Sequence, residues 1–279
     1  MNLDKTEPSR RPVIGVFDSG FGGLTVLREL LLHLPGADFI YLGDTAHLPY
    51  GSKSQAAVTR YTRAAIRMMV ERGADLIVIA CNTASALALP SLQRDAPVPL
   101  VGVIGPGAEA AAAIAPPGSK VLVLATEATV ASHAYAQACK AAGLNAVEKA
   151  CPLFVPLVEE GWTDGNITEQ IAGVYLREAI QTVGAAPSAV VLGCTHYPLL
   201  RPLLARVLQS TAGDDIPIVD SAEATARHVA AMLPGAVTGT TGGATLGFFA
   251  TDGAAKFQQL GAHFLGRAIS AVQQIDLED

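Results

Sequence analysis

Two cysteines occupy matching positions in two aliphatic segments of this 279-residue sequence. Cys81 follows "LIVIA" and precedes "NTASA", whereas Cys194 follows "VVLG" and precedes "THYPLL". Each is therefore predicted at the carboxyl end of a buried strand and at the amino end of the next helix. Ligands bind at that edge of open parallel sheets, and a helix amino terminus favours a thiolate over a thiol. We therefore expect two readily ionised thiols.

A matched pair of thiols suits one kind of acid–base chemistry. To invert a carbon that bears a weakly acidic hydrogen, a base removes the proton from one face and an acid delivers one to the other. Two similar groups on opposing halves meet that requirement, one as thiolate and one as thiol. Either cysteine alone could be a small buried hydrophobic residue, and that interpretation is preferred for Cys139 and Cys151.

Short aliphatic runs alternate with helical patterns along the whole chain. Runs without polar alternation are typical of parallel strands that helices cover on both faces. They are "PVIGVF", "FIYLG", "LIVIA", "PLVGVI", "KVLVLAT", "CPLFVPLV", "AVVLG" and "IPIVD". Helices are predicted between them, including 54–72, 128–142, 167–183 and 254–273. This alternation predicts an α/β fold.

The chain also resembles itself, because "LIVIACNT" aligns with "VVLGCTH" and weaker echoes follow in the same order. We predict two similar parallel-sheet α/β domains related by pseudo-symmetry, with the active site in the cleft between them. Residues 1–103 and 217–279 form the first domain, and residues 104–216 form the second. Residues 1–11, which include Arg10 and Arg11, are predicted to be a flexible tail.

Composition excludes several classes of protein. Hydrophobic residues make up 50% of the chain and charged residues 16%, with a net charge of −6, so neither disorder nor nucleic-acid binding is favoured. No C-x-x-C pair is present, so a zinc site or a disulfide framework is not expected. The first residues lack the apolar core of a secretory signal. The uncharged segment 76–93 contains polar residues and Pro90, so we expect a cytoplasmic protein without membrane spans.

Two glycine-containing loops supply further candidate site residues. In "FDSGFGG", Asp18 and Ser19 precede glycines that could form an amide nest for a carboxylate or phosphate, or merely cap a helix. A nucleotide-binding fingerprint is incomplete there, because Thr25 stands where the third glycine is needed. In "GDTAHLPYG", the pair Tyr50 and Gly51 could hold a ligand or form a surface turn.

Taken in order, these motifs resemble the glutamate racemases of the aspartate/glutamate racemase superfamily. The segments that carry the resemblance are "GVFDSGFGGLTVL", "YLGDTAHLPYGSKS", "ACNTASA", "LFVPLVEEG" and "GCTHYPLL". The resemblance implies interconversion of L- and D-glutamate without a cofactor or metal, for peptidoglycan synthesis. It also implies a homodimer of two-domain subunits.

The same resemblance assigns roles to individual residues. Cys81 would exchange the proton on one face of the substrate with help from Asp18, and Cys194 on the other with help from His196. Glu159, predicted here at the end of a strand, is the remaining candidate catalytic residue. The implied substrate-binding residues are Asp18, Ser19, Tyr50, Gly51, Asn82, Thr83, Thr126, Thr129, Thr195 and His196.

Two alternatives stay open at this point. One is a related racemase that acts on aspartate or a hydantoin with the same cysteine pair. The other is a non-catalytic protein that binds a small molecule between two lobes, with both cysteines merely packed.

Overall fold

The computed structural model of the chain describes residues 10–213, 215–237 and 243–277. Within these ranges the strands are β1 (Val13–Asp18), β2 (Asp38–Gly43), β3 (Leu76–Ile79), β4 (Leu100–Gly102), β5 (Lys120–Ala125), β6 (Asn145–Ala150), β7 (Val190–Gly193), β8 (Ile218–Asp220), β9 (Leu246–Ala250) and β10 (Gln273–Gln274). They form one sheet in the order β10-β9-β2-β1-β3-β4 and a second in the order β6-β5-β7-β8. All the described strand pairs are parallel.

Helices connect these strands and cover the sheets. They are α1 (Leu24–His33), α2 (Gln55–Glu71), α3 (Asn82–Leu87), α4 (Leu89–Leu92), α5 (Ile104–Ala112), α6 (Glu127–Ser132), α7 (Ala134–Ala141), α8 (Phe154–Glu159), α9 (Asn166–Val183), α10 (Arg201–Ala212), α11 (Ser221–Met232), α12 (Pro234–Val237) and α13 (Ala254–Leu265). Two 3-10 turns, Tyr50–Ser52 and Tyr197–Leu200, lie after β2 and β7.

The two sheets share a strand order. Strands β2-β1-β3-β4 in the first sheet correspond to β6-β5-β7-β8 in the second, so β3 and β7 are equivalent. Every residue of both strands is buried, as their continuous aliphatic sequences predict. The predicted α/β fold with two similar parallel sheets is confirmed. Cys81 comes two residues after the end of β3, and Cys194 comes directly after the end of β7.

The connection between the two sheets differs in one detail from the sequence prediction. We expected the chain to return to the first domain at residue 217, but β8 pairs with β7 from Ile218 to Asp220. Those residues therefore belong to the second sheet, and α11 follows them and packs against both α1 and α5. The aliphatic run "IPIVD" predicts a strand, but it does not show to which sheet the strand belongs. In the structure it is the edge strand of the second sheet, equivalent to β4 in the first.

The prediction of a strand at "CPLFVPLV" is wrong. Residues Phe154–Glu159 form α8, and Phe154, Leu157 and Val158 are its buried residues. Their spacing is that of one helix face. The strand equivalent to β2 is instead β6, whose half-exposed sequence "NAVEKA" shows no apolar run. Glu159 therefore ends a helix and not a strand.

Left-handed residues interrupt one predicted helix and end another. His133, with φ 54°, separates α6 from α7 inside the predicted helix 128–142. Gly266, with φ 75°, follows α13, so the predicted helix 254–273 stops at Leu265.

Two residues of the predicted flexible tail, Arg10 and Arg11, are paired with carboxylates of the first sheet's domain. Residues 1–9 lie outside the described residues, but Arg10 pairs with Asp75 and Arg11 pairs with Asp38. The Arg11 guanidinium also donates to the carbonyl oxygens of Pro35 and Ala37 at 2.8 and 2.9 Å. A planar group with several donors can bind three acceptors at once, which fixes this residue to the sheet.

The helices of the described residues include none with the length and hydropathy of a membrane span.

Candidate active site

Loops from the carboxyl ends of both sheets enclose one cavity of about 310 Å³. The first sheet contributes the segments after β1, β2 and β3, and the second contributes the equivalent segments after β5, β6 and β7. The residues that line the cavity are Ser19, Gly20, Leu48, Pro49, Tyr50, Gly51, Ser52, Cys81, Asn82, Thr83, Thr126, Glu127, Pro152, Val155, Pro156, Glu159, Glu160, Cys194, Thr195 and His196. Both predicted thiols thus face the same space from different sheets.

The structure brings most of the sequence-predicted site residues to this cavity. All of them line it except Asp18 and Thr129, which are completely buried behind its wall. Cys139 and Cys151, which were predicted to be structural, are both buried and do not line it.

The Cys81 thiol lies at the amino end of α3, with its Sγ 3.6 Å from Oγ of Ser19. Burial raises its pKa to about 12, and the nearby Asp18 carboxylate adds to the increase. The backbone N–H of Ala84 and the Ser19 hydroxyl act in the opposite direction but do not outweigh burial. The expectation that this thiol ionises readily is therefore wrong, because removing the thiolate from water costs more free energy than the helix end contributes.

The Cys194 thiol has a histidine beside it. Its Sγ lies 4.0 Å from Nδ1 of His196, and Nε2 of the same ring lies 3.2 Å from Oε1 of Glu159. Burial lowers the pKa of His196, but the contacts with Cys194 and Glu159 outweigh it and raise the pKa to about 10. The ring also packs edge-on against Phe264 of α13 at 5.2 Å between centroids. The imidazole of His196 is thus held between the sulfur of Cys194 and a carboxylate.

Asp18 acts from behind the cavity wall. Its carboxylate accepts hydrogen bonds from the backbone N–H of Gly20 at 2.9 Å and from the hydroxyl of Thr195 at 3.3 Å. Burial raises its pKa, while the charge of His196 lowers it. Because Thr195 follows Cys194 and Asp18 belongs to the first sheet, this carboxylate connects the two halves of the site.

Three threonine hydroxyls form a second connection between the halves. Oγ1 of Thr83 lies 3.0 Å from Oγ1 of Thr126 and 3.2 Å from Oγ1 of Thr129, and the last two are 2.9 Å apart.

Among the described lining residues, His196 is the only side chain that can carry a positive charge. An anionic ligand would therefore be bound chiefly by neutral hydroxyl, amide and backbone donors.

These positions can be compared with known proteins. A family model described as Asp/Glu/Hydantoin racemase matches residues 24–229. The chain belongs to the Asp/Glu/Hydantoin racemase family. Glutamate racemase from Koribacter versatilis is 48% identical over 96% of this chain and 98% of its own.

Solved structures give the same result. The structure of glutamate racemase from Francisella tularensis in complex with D-glutamate has a TM-score of 0.85 and 33% identity, covering 96% of this chain and 98% of that one. The Thermus thermophilus enzyme in complex with beta-chloro-D-alanine has a TM-score of 0.82 and 40% identity at the same coverage. The resemblance to glutamate racemases is confirmed, and this member of the racemase family is an isomerase.

Sequence reasoning missed the residue that anchors one loop of this racemase site. Asp44 is fully buried, and its carboxylate accepts hydrogen bonds from Tyr50, Thr251 and His47 at 2.5, 2.8 and 2.9 Å. The Tyr50 hydroxyl therefore points to Asp44, and the loop that carries Gly51 is fixed against the segment after β9. The only signal in the sequence is the polar loop "GDTAHLPYG" that contains Asp44.

The apolar part of the cavity wall was also missed. Leu48 and Pro49 come from the loop after β2, and Pro152, Val155 and Pro156 come from the region of α8. Because α8 was predicted as a strand, the side chains that its turn presents could not be assigned to the cavity.

The raised pKa of His196 predicts how stability changes with pH. Its pKa is 6.5 in the unfolded chain and about 10 here, so its stabilising contribution is complete below pH 6.5 and is lost as the pH rises to 10. We expect the free energy of unfolding to fall more steeply over this range in the wild type than in His196→Asn. Denaturant unfolding of both proteins at pH 6.5, 8 and 10 measures this free energy.

The matched control is His133→Asn. His133 is an exposed histidine paired with Glu148, and asparagine tolerates its left-handed backbone. This variant should follow the wild-type pH profile. Parallel profiles for wild type and His196→Asn would show that His196 is not held as a cation.

Proposed function

We propose that this protein interconverts L-glutamate and D-glutamate without a cofactor, using Cys81 and Cys194 as its two acid–base groups. The observation that carries the proposal is that two thiols from equivalent strand ends of two sheets line one cavity. The cavity, at about 310 Å³, has the size of a small-molecule site. Relatives that are 39–48% identical over nearly the whole chain are named glutamate racemases, which favours glutamate over aspartate or a hydantoin.

The two sides of the cavity differ in a way that suits this reaction. Burial keeps Cys81 as a thiol, whereas the cation of His196 lies beside Cys194, where it stabilises negative charge. In one direction, the Cys194 thiolate takes the α-proton as the C–H bond breaks. The Cys81 thiol then delivers its own proton to the opposite face. The next turnover in the same direction requires the two sulfurs to exchange their protons with solvent.

The remaining site residues have separate tasks in this proposal. The α-carbon of an amino acid is a very weak acid, so the carbanion must be stabilised by fixed donors in a site that excludes water. Ser19, Asn82, Thr83 and Thr195 supply neutral donors around the two thiols. Asp18 assists Cys81 through its charge and holds Thr195, while Glu159 holds His196. The backbone of Tyr50 and Gly51 and the hydroxyl of Thr126 complete the substrate-binding set, and Thr129 positions Thr126 from behind the cavity wall.

A polarimetric experiment tests the proposed function. Purified protein is incubated with D-glutamate or L-glutamate, without added cofactor, and the circular dichroism signal is followed. We expect the signal to decay to zero from either enantiomer, and in deuterated water the product should carry deuterium at Cα. Product that keeps its original hydrogen would contradict the two-thiol mechanism.

The same assay separates the alternatives. Faster decay with aspartate or a hydantoin would identify a different substrate for the same cysteine pair. A persistent signal together with measurable glutamate binding would identify a two-lobed binding protein.

We also propose, from the family resemblance, that the product D-glutamate supplies peptidoglycan synthesis in the cytoplasm and that the protein is a homodimer. We further propose that the first domain is interrupted after residue 103 and that the second domain begins at residue 104. Restored growth of a bacterium that requires D-glutamate would test the first of these, and sedimentation equilibrium would test the dimer.

A further inference from the structure

Among the described residues, only one end of the Asn82 side-chain amide has a hydrogen-bond partner. Asn82 lines the cavity and is 3% exposed. Its Oδ1 accepts a hydrogen bond of 2.6 Å from the hydroxyl of Tyr135. Its Nδ2 is buried without a hydrogen-bond partner among the described residues. A buried donor without an acceptor is costly, so this group is expected to find its acceptor in a bound ligand.

The hydrogen bond from Tyr135 holds one end of this amide. A phenol hydroxyl can donate to Oδ1 or accept from Nδ2, so it does not by itself orient an amide. In this structure the Tyr135 hydroxyl donates to Oδ1, and Nδ2 is left without a partner among the described residues.

The Tyr135 ring is fixed by close packing. It is fully buried in α7, and two glycines make room for it. A Cβ on Gly193 would lie 2.9 Å from Cε2 of Tyr135, and a Cβ on Gly107 would lie 3.3 Å from its hydroxyl oxygen. Because a rigid ring carries the hydroxyl, the donor has a defined position relative to Asn82.

We propose that Tyr135 is a positioning residue that holds the Asn82 amide with Nδ2 available to a carboxylate of the substrate. This inference rests on the proposed function. Tyr135 lies in α7, between β5 and β6 of the second sheet, and Asn82 begins α3, after β3 of the first sheet. The hydrogen bond between them therefore crosses between the two halves of the site. The orientation of a substrate-binding donor in one half therefore depends on the presence of the other.

A double-mutant cycle tests this proposal. Tyr135→Phe is expected to lower kcat/KM by about tenfold, mainly through KM, which is the loss typical of one hydrogen bond. Asn82→Ala removes the amide itself. If Tyr135 acts through Asn82, Tyr135→Phe should change kcat/KM less than about twofold in the Asn82→Ala background. The same loss in both backgrounds, or none in the wild type, would overturn the proposal.

Tyr197→Phe is the matched control for the loss of a buried hydroxyl. Tyr197 is also fully buried, and its hydroxyl donates to the carbonyl oxygen of Cys151 at 2.9 Å. Whatever effect this variant has should be the same in the wild-type and Asn82→Ala backgrounds. Thermal unfolding of each variant identifies any loss of the fold.

A measurement that needs no catalysis keeps the inference separate from the proposed function. The side-chain amide resonances of Asn82 are identified in a ¹⁵N spectrum by their absence in Asn82→Ala. We expect them to shift in Tyr135→Phe and to stay in place in Tyr197→Phe. An unchanged position in Tyr135→Phe would refute the inference even if the protein racemises glutamate. Absence of racemisation with the expected shift would refute only the proposed function.

Discussion

Cys81→Ser and Cys194→Ser are each expected to lower the rate of glutamate racemisation by about 10³-fold, within the range for losing a positioned acid–base group. Both sulfurs line the same cavity, and a hydroxyl is too weak an acid and base to replace either. The more informative result is expected in deuterated water. The thiol that remains can remove and return a proton on one face only, so each variant should exchange the α-hydrogen of one enantiomer without inverting it.

The two variants should exchange opposite enantiomers, which proton NMR of the recovered glutamate measures directly. Cys139→Ser is the control, because Cys139 is an equally buried thiol that does not line the cavity. It should keep wild-type activity per folded molecule. Exchange of the same enantiomer by both serine variants would mean that one thiol serves both faces, and the two-base mechanism would be wrong.

Gly22→Ala is expected to have the next largest effect, because Gly22 of the first half lies directly against Thr195 and His196 of the second half. A Cβ at this position would lie 2.2 Å from Oγ1 of Thr195 and 2.6 Å from Nδ1 of His196. The methyl group must displace His196 or push the two halves of the site apart. Either movement changes the position of Cys194 relative to Cys81. A displacement of about 1 Å can cost about 10²-fold in rate, so we expect kcat/KM to fall by about that factor.

Gly105→Ala provides the control, since a Cβ there meets no atom within 4 Å and the residue lies in α5. It should keep wild-type kinetics. Small-angle scattering and thermal unfolding should show that Gly22→Ala is folded. Wild-type kcat/KM in a folded Gly22→Ala protein would contradict the need for this close approach.

Much of the fold was predictable because its central strands have simple sequences. "LIVIA" and "VVLG" are continuously apolar because helices cover both faces of β3 and β7, and they locate Cys81 and Cys194 at strand ends. The edge strand β6 was missed for the complementary reason. It is half exposed, so its sequence contains charges, and the apolar run that follows it belongs to one face of α8.

The candidate site was predicted less evenly. Motifs near strand ends located most of the residues that line the cavity. Asp44 was not recognised as an anchor because Thr251, one of its partners, is 207 residues away. Tyr135 carried no signal at all, since it lies within an Ala-rich helix and contacts Asn82 across 53 residues of sequence.

The sequence by itself determined the α/β class, the repetition of one half in the other, and two thiols at equivalent strand ends. These features follow from periodicity and from short motifs, which are local. Only the tertiary structure decided that both thiols share one cavity, that Asp18 and Thr129 lie behind its wall, and that burial raises the pKa of Cys81. Burial and the distances between charges depend on contacts between distant segments, and those contacts set the pKa of each group.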